Sequence, residues 1–412
     1  MAQFSLSSAT NLFKIKYGKL SDNVYNSANV LLGRMNKKYD FTGRQMFIPV
    51  PSSFQGGVGS GTLPTPNVAS YKDAIILAKK VYSVVKIDRE SIKASMNSEG
   101  AFVQGTKEVV QKGVESYMRN ASRILFGDGS GALGSFAAAD ALHNPDAEIG
   151  MPPAGSSGAV YDVIISAASW KEANWEEADY VNIDSDTGTS VLEITAVTPG
   201  LRKVRLTALG SHTDPTGGVS HTVYMQNSKN NDPIGLSGVL MAEAPASLYN
   251  IPVARRWQAT QKDAGAAGIS TDLMNEVMLE VQRKSGKVPN MILTSFVQFR
   301  KILNLLEDQK QYSLDPKSTD LKGKLSFKGI EFMSSAGAIG IFPERFCEDD
   351  RMYFLNDNYM TTYHRPDFGW FEDDGTVFLR EASEDSYSAR YGGYYENYIV
   401  PSFQGVLHNL AV

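Results

Sequence analysis

The sequence predicts an α+β protein, because three kinds of pattern follow one another along its 412 residues. A Gly-tipped β-hairpin, expected from about Arg44 to Ile87, comes directly before a long helix. Short β-rich runs then alternate with turn signals, and further on strands alternate with amphipathic helices. An isolated two-stranded ribbon is marginally stable in water, so we expect the hairpin to need support from outside its own chain. That expectation favours an assembly over a free enzyme.

The composition is that of a globular protein. Hydrophobic residues make up 42% of the chain, and 40 Lys and Arg against 45 Asp and Glu give a net charge of -5, which disfavours a strongly basic nucleic-acid reader. The single cysteine, Cys347, excludes an internal disulfide and a cysteine-based zinc site. No apolar stretch approaches the roughly 20 residues that span a bilayer. The first residues lack the pattern of a signal peptide, so we expect synthesis in a cytoplasm and no membrane partner.

The N-terminal part is expected to hold an arm, a hairpin and a helix. Residues 1–40 combine a polar tail with a short amphipathic helix, and the hairpin occupies residues 41–87. The long helix should run from about Glu99 to Phe126, because apolar residues recur there at helical spacing. That stripe consists of Val103, Val110, Val114, Tyr117, Ala121 and Ile124. Glycines within it leave two alternatives open, a pair of shorter helices or one helix that packs closely against a neighbour.

The remaining sequence divides into three segments. Residues 151–233 hold short β-rich runs between Pro-containing borders, which predicts an inserted antiparallel barrel or sandwich. Residues 234–355 read as α/β, with Ser270 and Ser295 as expected helix N-caps. Residues 356–412 return to a β pattern that is rich in aromatic side chains.

No motif in the sequence predicts catalysis, a cofactor or a metal. The five histidines have no metal-ligand spacing, and no serine lies in a G-x-S-x-G elbow. The stretch Gly56–Gly61 has no following Lys-Ser or Lys-Thr and lies inside a hairpin, so it predicts a flexible tip and not a phosphate loop. Asn182, Asp184 and Asp186 are spaced as in a calcium loop, but Thr187 stands where the central Gly is required. We expect no catalytic, cofactor-binding or metal-binding residue.

The expected functional residues are instead those of a subunit interface. The hairpin arms carry apolar side chains on both faces, and aromatic enrichment near the C-terminus is typical of buried subunit contacts. The candidate interface residues are Met46, Phe47, Ile48, Gly56, Gly57, Gly59, Gly61, Ile75, Ile76, Val81, Tyr391, Tyr394, Tyr395 and Tyr398.

The order of these parts resembles the tailed-bacteriophage major capsid proteins of the Hong Kong 97-type fold, and the stretch from Met291 to Arg300 looks like that fold's axial strand–helix unit. The resemblance implies an α+β capsid fold with an inserted β-rich domain. Its parts would be an N-terminal arm (1–40), an extended β-hairpin loop (41–87), a peripheral domain with a spine helix (88–150), the inserted domain (151–233), an axial domain (234–355) and a C-terminal return to the peripheral domain (356–412).

The resemblance also implies a function. The chain would form pentamers and hexamers of an icosahedral phage head around double-stranded DNA, without sequence-specific DNA contacts. Its other partners would be a separate scaffolding protein and a portal, with assembly in the bacterial host cytoplasm and a final location in the virion.

Two alternatives stay open at this point. An encapsulin-like bacterial compartment resembles the same fold but encloses protein cargo. An enzyme with a β-rich accessory domain would instead be a monomer or small oligomer with a pocket of perturbed titratable groups.

Overall fold

The computed structural model describes residues 30–41, 43–53, 61, 70–89, 99–143, 154–184, 191–215, 220–307, 330–334, 337–365, 368–372, 377–381 and 384–412. This part of the chain is α+β, as the sequence predicts. Its α-helices are α1 (Val30–Arg34), α2 (Glu99–Phe126), α3 (Leu236–Leu240), α4 (Thr271–Ser285) and α5 (Phe296–Glu307).

The strands are numbered in chain order. Those of the first half are β1 (Asn36–Lys38), β2 (Gln45–Ser53), β3 (Ser70–Leu77), β4 (Lys79–Asp88), β5 (Ala132–Phe136), β6 (Ala141–His143), β7 (Val160–Ile164), β8 (Tyr180–Ile183), β9 (Leu192–Thr198), β10 (Lys203–Ala208) and β11 (His221–Met225). Those of the second half are β12 (Ser247–Leu248), β13 (Ile251–Pro252), β14 (Thr260–Asp263), β15 (Met291–Thr294), β16 (Ile330–Ser334), β17 (Gly337–Pro343), β18 (Met352–Leu355), β19 (Met360–His364), β20 (Gly369–Trp370), β21 (Leu379–Arg380), β22 (Ser386–Ile399) and β23 (Gly405–His408).

The long helix α2 is continuous over 28 residues, so the alternative of two shorter helices does not hold. Its described stripe residues Val114, Tyr117, Ala121 and Ile124 are all at most 3% exposed. The side chains of the first turns, which include Val103 and Val110, lie outside the described residues. The spacing of apolar residues therefore identified the buried face wherever the structure describes it.

Sheet A covers α2 and is organised around the long strand β22. Strand β22 pairs with β4 on one side and with β19 on the other, and β1, β20 and β21 complete the sheet. This arrangement divides the predicted second hairpin arm at Ala78. Residues 70–77 pair with β2, whereas residues 79–88 pair with a strand near the other end of the chain.

Sheet B is a separate antiparallel sheet of seven strands in the order β5-β11-β8-β9-β10-β7-β6. It has a hydrophobic core of its own, which includes Phe136, Tyr161 and Leu206. Two of its strands, β5 and β6, lie before residue 151, where the sequence placed the start of the β-rich segment. The β-rich unit is therefore larger than the composition change alone indicates.

Sheet C has the order β14-β23-β18-β15-β17-β16 and separates two cores. Along β15, Met291 and Leu293 face the large core that includes α2, and Ile292 between them faces the core beneath α4 and α5. This alternation follows from the two-residue period of a strand. Strand β23 lies between β14 and β18, so residues 405–408 belong to sheet C.

Candidate assembly interface

The hairpin formed by β2 and β3 is attached to its own chain through one face. Ala74 and Ile76 are fully buried, and Met46 and Ile48 on β2 pack against the same core. Directly paired residues of antiparallel strands point to one side of the ribbon, so these four side chains define an inner face. Burial of this face fixes the base of the hairpin on the subunit.

The opposite face of the hairpin is apolar and exposed. Phe47 is 56% exposed, Tyr71 60% and Leu77 43%. Isolated exposed apolar residues are ordinary, but a row along one ribbon face marks an interaction surface. The sequence pointed to Phe47 and missed Tyr71 and Leu77, although the two-residue alternation of β3 was a usable signal.

Several predicted interface residues lie inside the subunit. Ile76, Val81, Tyr391, Tyr395 and Tyr398 are all at most 9% exposed and belong to the large core. Among the other candidates, Phe47 is exposed, and Gly61 is exposed with φ +96°. Four candidates are half-buried, namely Met46, Ile48, Ile75 and Tyr394. Three glycines lie outside the described residues, namely Gly56, Gly57 and Gly59. Contacts between subunits therefore stay a prediction that rests on the exposed members.

Sheet A carries a second exposed apolar surface, the outer aromatic patch, formed by Tyr82, Val84, Phe371 and Tyr394. Val84 is 63% and Tyr82 is 42% exposed. The ring centroids of Tyr82 lie 5.7 Å from Phe371 and 6.1 Å from Tyr394, and Phe371 lies 5.8 Å from Tyr394. Edge-on and tilted contacts between aromatic rings stabilise a cluster of this kind. Sequence reasoning selected only Tyr394 from this cluster.

Two cationic side chains lie beside the outer aromatic patch. The Lys80 ammonium lies 5.8 Å from the centroid of Tyr394 on the ring face, and Arg390 is exposed on the same strand as Tyr394. Burial, together with the hydrogen bond to Tyr394, raises the pKa of Tyr82 to about 12 against the opposing effect of Arg390. The patch is therefore apolar at its centre and cationic at its edge.

Two buried carboxyl groups connect distant parts of the subunit. Burial raises the pKa of Glu396 to about 8, although its carboxylate accepts hydrogen bonds from the backbone N–H groups of Ile234 at 2.7 Å and Asn397 at 3.1 Å. Burial likewise raises the pKa of Glu344 to about 7, and this group accepts from the Val30 N–H at 2.9 Å. The contacts with Ile234 and Val30 join segments that are far apart in the sequence. Both carboxyl groups therefore stabilise the folded subunit.

His364 is fully buried among aromatic rings. Its ring centroid lies 4.5 Å from Phe368, 5.5 Å from Tyr39 and 5.8 Å from Tyr395. Burial, and to a smaller extent the charge of Lys37, lowers its pKa to about 4. Neither ring nitrogen has a hydrogen-bond partner among the described residues, so the imidazole acts as a neutral core ring.

Ion pairs fix sheet B against the rest of the subunit. Arg119 of α2 donates from Nη2 to both carboxylate oxygens of Asp179, at 2.7 and 2.6 Å, and also pairs with Glu176. Lys171 pairs with Glu348 at 2.7 Å between Nζ and Oε1. Arg–carboxylate contacts that engage both oxygens set orientation as well as proximity, so these pairs position sheet B relative to the long helix.

The described residues contain no group of three or more His, Cys, Asp and Glu side chains that could hold a metal ion. Cys347 is buried, and burial raises the pKa of its thiol. A cavity of about 600 Å³ beside the end of α4 is lined by polar and charged side chains, among them Arg255, Arg283 and Lys284. None of the described helices is long and apolar enough to cross a membrane.

No protein-family model and no curated protein matches the sequence. Among solved structures, a chain of the cyanophage A-1(L) capsid asymmetric unit aligns over 95% of this chain and 93% of its own length, with a TM-score of 0.53 and 9% identity. The chain has the fold of a phage capsid protein. The resemblance drawn from the order of sequence patterns is therefore confirmed at the level of fold.

Two further solved structures align with this capsid-protein fold at lower scores. The satellite phage P4 procapsid gives a TM-score of 0.43 at 8% identity, covering 95% of this chain and 90% of that one. The SrpI encapsulin complex from Synechococcus elongatus gives 0.42 at 7% identity, covering 93% and 89%.

Proposed function

We propose that this chain is the major capsid protein of a tailed phage, which self-assembles into the pentamers and hexamers of an icosahedral head around double-stranded DNA. The observation that carries the proposal is the capsid-protein fold, shared over 95% of the chain with a cyanophage capsid chain. A structural role also accounts for the exposed apolar face of the hairpin, because a large assembly removes that face from water.

The parts of the proposed capsid subunit follow the chain. Residues 1–40 would be the N-terminal arm, 41–87 the extended loop, and 88–150 the start of a peripheral domain with α2 as its spine. Residues 234–355 would form the axial domain, and 356–412 would return to the peripheral domain apart from β23. Sheet B would be an inserted domain that projects from the outer face of the shell or between capsomers.

The proposed partners are other copies of the chain, a separate scaffolding protein, a portal and packaged DNA. The net charge of -5 suits a shell around DNA, because a strongly basic inner wall would bind the phosphate backbone and hinder packing and release. Assembly would take place in the cytoplasm of the bacterial host, and the final location would be the virion. The proposed role involves no catalysis and no cofactor.

Electron microscopy of the purified protein, expressed with and without its neighbouring phage gene products, tests the proposal. Closed particles are expected, and particles from infected cells should contain double-stranded DNA. Particles filled with a cargo enzyme would favour the encapsulin-like alternative. A monomer or small oligomer under all assembly conditions would contradict a shell function.

Shortening the hairpin separates folding from assembly. Removal of residues from the Gly-rich tip should leave the far-ultraviolet circular dichroism unchanged, because a loop tip buries little apolar surface. Removal of several residues from each of β2 and β3 should leave soluble subunits or capsomers that do not close. Arm-shortened protein that still gives particles of wild-type size and thermal stability would contradict this role of the hairpin.

A further inference from the structure

The cavity beside the end of α4 is lined by residues from two separate parts of the chain. Arg283 and Lys284 belong to the last turn of α4, and Arg255 belongs to the segment that leads into β14. Its volume of about 600 Å³ lies within the range of about 300–1,000 Å³ that is usual for small-molecule sites. The cavity is therefore large enough to hold a small ligand, and its charged lining indicates a polar one.

Positive charge exceeds negative charge in the lining of this cavity. Glu280 is the only acidic side chain among the described residues that line it, and three basic side chains accompany it. Glu280 pairs with Arg283 at 3.1 Å between Oε1 and Nη2. No carboxylate of the described residues lies within ion-pair distance of Arg255 or Lys284. Two of the three cations therefore have no charged partner in the described part of the chain.

Lys284 is held at the cavity by hydrogen bonds to the backbone. Its ammonium donates to the carbonyl oxygens of Gln258 at 2.7 Å and Ala259 at 3.3 Å. Burial, and next the positive charge of Arg255, lowers the pKa of Lys284, whereas Glu280 opposes the shift. Lys284 and Arg255 are therefore close enough to repel each other. Such an arrangement of like charges is unfavourable, and a bound anion relieves it.

The helix dipole explains only part of this charge. Cations are favourable in the last turn of a helix, which accounts for Arg283 and Lys284 but not for Arg255, because that residue lies in another segment. Thr260, at the start of β14, also lines the cavity, and its buried hydroxyl has no hydrogen-bond partner among the described residues. Buried polar atoms of this kind are commonly satisfied by a bound ion or water. Both observations favour a ligand in the cavity.

The charge and shape of the lining favour a compact phosphate compound. Arginine offers a planar set of donors that matches phosphate oxygens, and lysine adds a point charge. Three basic side chains and one carboxylate leave two positive charges, so the ligand should carry at least two negative charges in a small volume. Duplex DNA spreads its charges along a continuous axis at about one per 1.7 Å, which suits an extended groove and not a concave cavity.

We infer that this cavity binds a compact free polyphosphate, with Arg255 and Lys284 contacting its phosphate oxygens and Glu280 limiting the affinity. Inorganic triphosphate and the triphosphate group of a free nucleotide share this chemistry. The inference goes beyond the proposed shell function and does not depend on it, because the described lining belongs to one subunit. A bound polyphosphate would join α4 to the segment before β14 and stabilise the folded subunit by mass action.

Isothermal titration calorimetry of full-length unassembled subunits in magnesium-free buffer tests the site, with inorganic triphosphate as the probe. Arg255→Gln should weaken binding at least about tenfold, because it removes a charged hydrogen-bond donor. The matched control is Arg256→Gln, which changes the neighbouring exposed arginine outside the cavity lining and should leave the affinity unchanged. No binding by the wild-type subunit, or equal weakening by the two substitutions, would overturn the inference.

Parallel titrations with ATP and with a short DNA duplex identify the source of the phosphate. Similar affinities for triphosphate and ATP would show that the site recognises phosphate groups alone, and tighter binding of ATP would identify a nucleotide as the ligand; either result supports the inference. Binding of the duplex in place of both small anions would overturn it. Particle formation by the wild-type chain is measured separately, so the shell function is tested independently of this site.

Removal of the opposing carboxylate supplies a second test with the opposite sign. Glu280→Gln should tighten triphosphate binding at least about threefold, because it removes a negative charge that repels the ligand. A gain in affinity cannot arise from misfolding. Glu276→Gln is the matched control, since Glu276 lies on the same helix, pairs with Lys262 and is not part of the described lining; it should leave the affinity unchanged. Unchanged or weaker binding by Glu280→Gln would refute the assignment of the cavity to a polyphosphate.

Discussion

The long helix approaches sheet A very closely at Gly113, and this contact gives a sharp test of the packing. A Cβ atom at position 113 would lie 2.3 Å from Cγ2 of Val85 on β4 and 3.8 Å from its Cβ. Carbon atoms pack best at about 3.5–4.0 Å, so a methyl group cannot fit unless Val85 moves. Val85 is 4% exposed and β-branched, which leaves it few other rotamers.

Two opposing effects decide the cost of Gly113→Ala. Ala in a helix interior is more favourable than Gly by about 1 kcal/mol, whereas overpacking a well-packed core costs about 1–3 kcal/mol. The net expectation is a loss of about 1 kcal/mol in the free energy of unfolding. In a Val85→Ala background the space is open, so the same substitution should stabilise by about 1 kcal/mol, which gives a coupling of about 2 kcal/mol.

Urea unfolding of the four unassembled variants, followed by circular dichroism of the helix signal, measures this coupling. Ser116→Ala on the exposed side of α2 serves as the control for helix propensity and should not depend on residue 85. If Gly113→Ala stabilises the subunit equally with Val85 and with Ala at position 85, α2 does not approach β4 as closely as described.

Three further predictions concern the core, pH and sheet B. Val114→Asp should abolish soluble subunits, because it buries an unpaired charge, whereas Ser116→Asp on the exposed side should not; equal soluble yields would refute the burial of the stripe. Because burial raises the pKa of Glu396 from 4.5 to about 8, its contribution to stability is complete below pH 4.5 and is lost as the pH rises through about 8. Glu396→Gln should therefore flatten the dependence of the urea midpoint on pH over this range, and an unchanged slope would contradict it. A fragment of residues 130–233 should show dispersed amide NMR signals, whereas residues 151–233, which lack β5 and β6, should not; dispersed spectra from both would show that those strands are dispensable.

Local patterns identified much of the fold because they depend on neighbouring residues only. Apolar spacing located α2 and its buried face, and Ser270 caps α4 as predicted, with its side chain accepting from the Leu273 N–H at 3.2 Å. The change to short β-rich runs located most of sheet B.

Pairing partners and the direction of individual side chains depended on the tertiary structure. The run from Asp73 to Ile87 has one continuous strand pattern, but only the arrival of β22 assigns its second half to sheet A and leaves Ala78 as the junction. Tyr391 and Tyr395 face the core and Tyr394 faces outward, because strand register decides which alternate residues are buried. Register is set by contacts between segments that lie far apart in the sequence, and no local pattern encodes such contacts. The sequence could therefore identify the aromatic cluster. Only the fold decided which of its members lie on the surface.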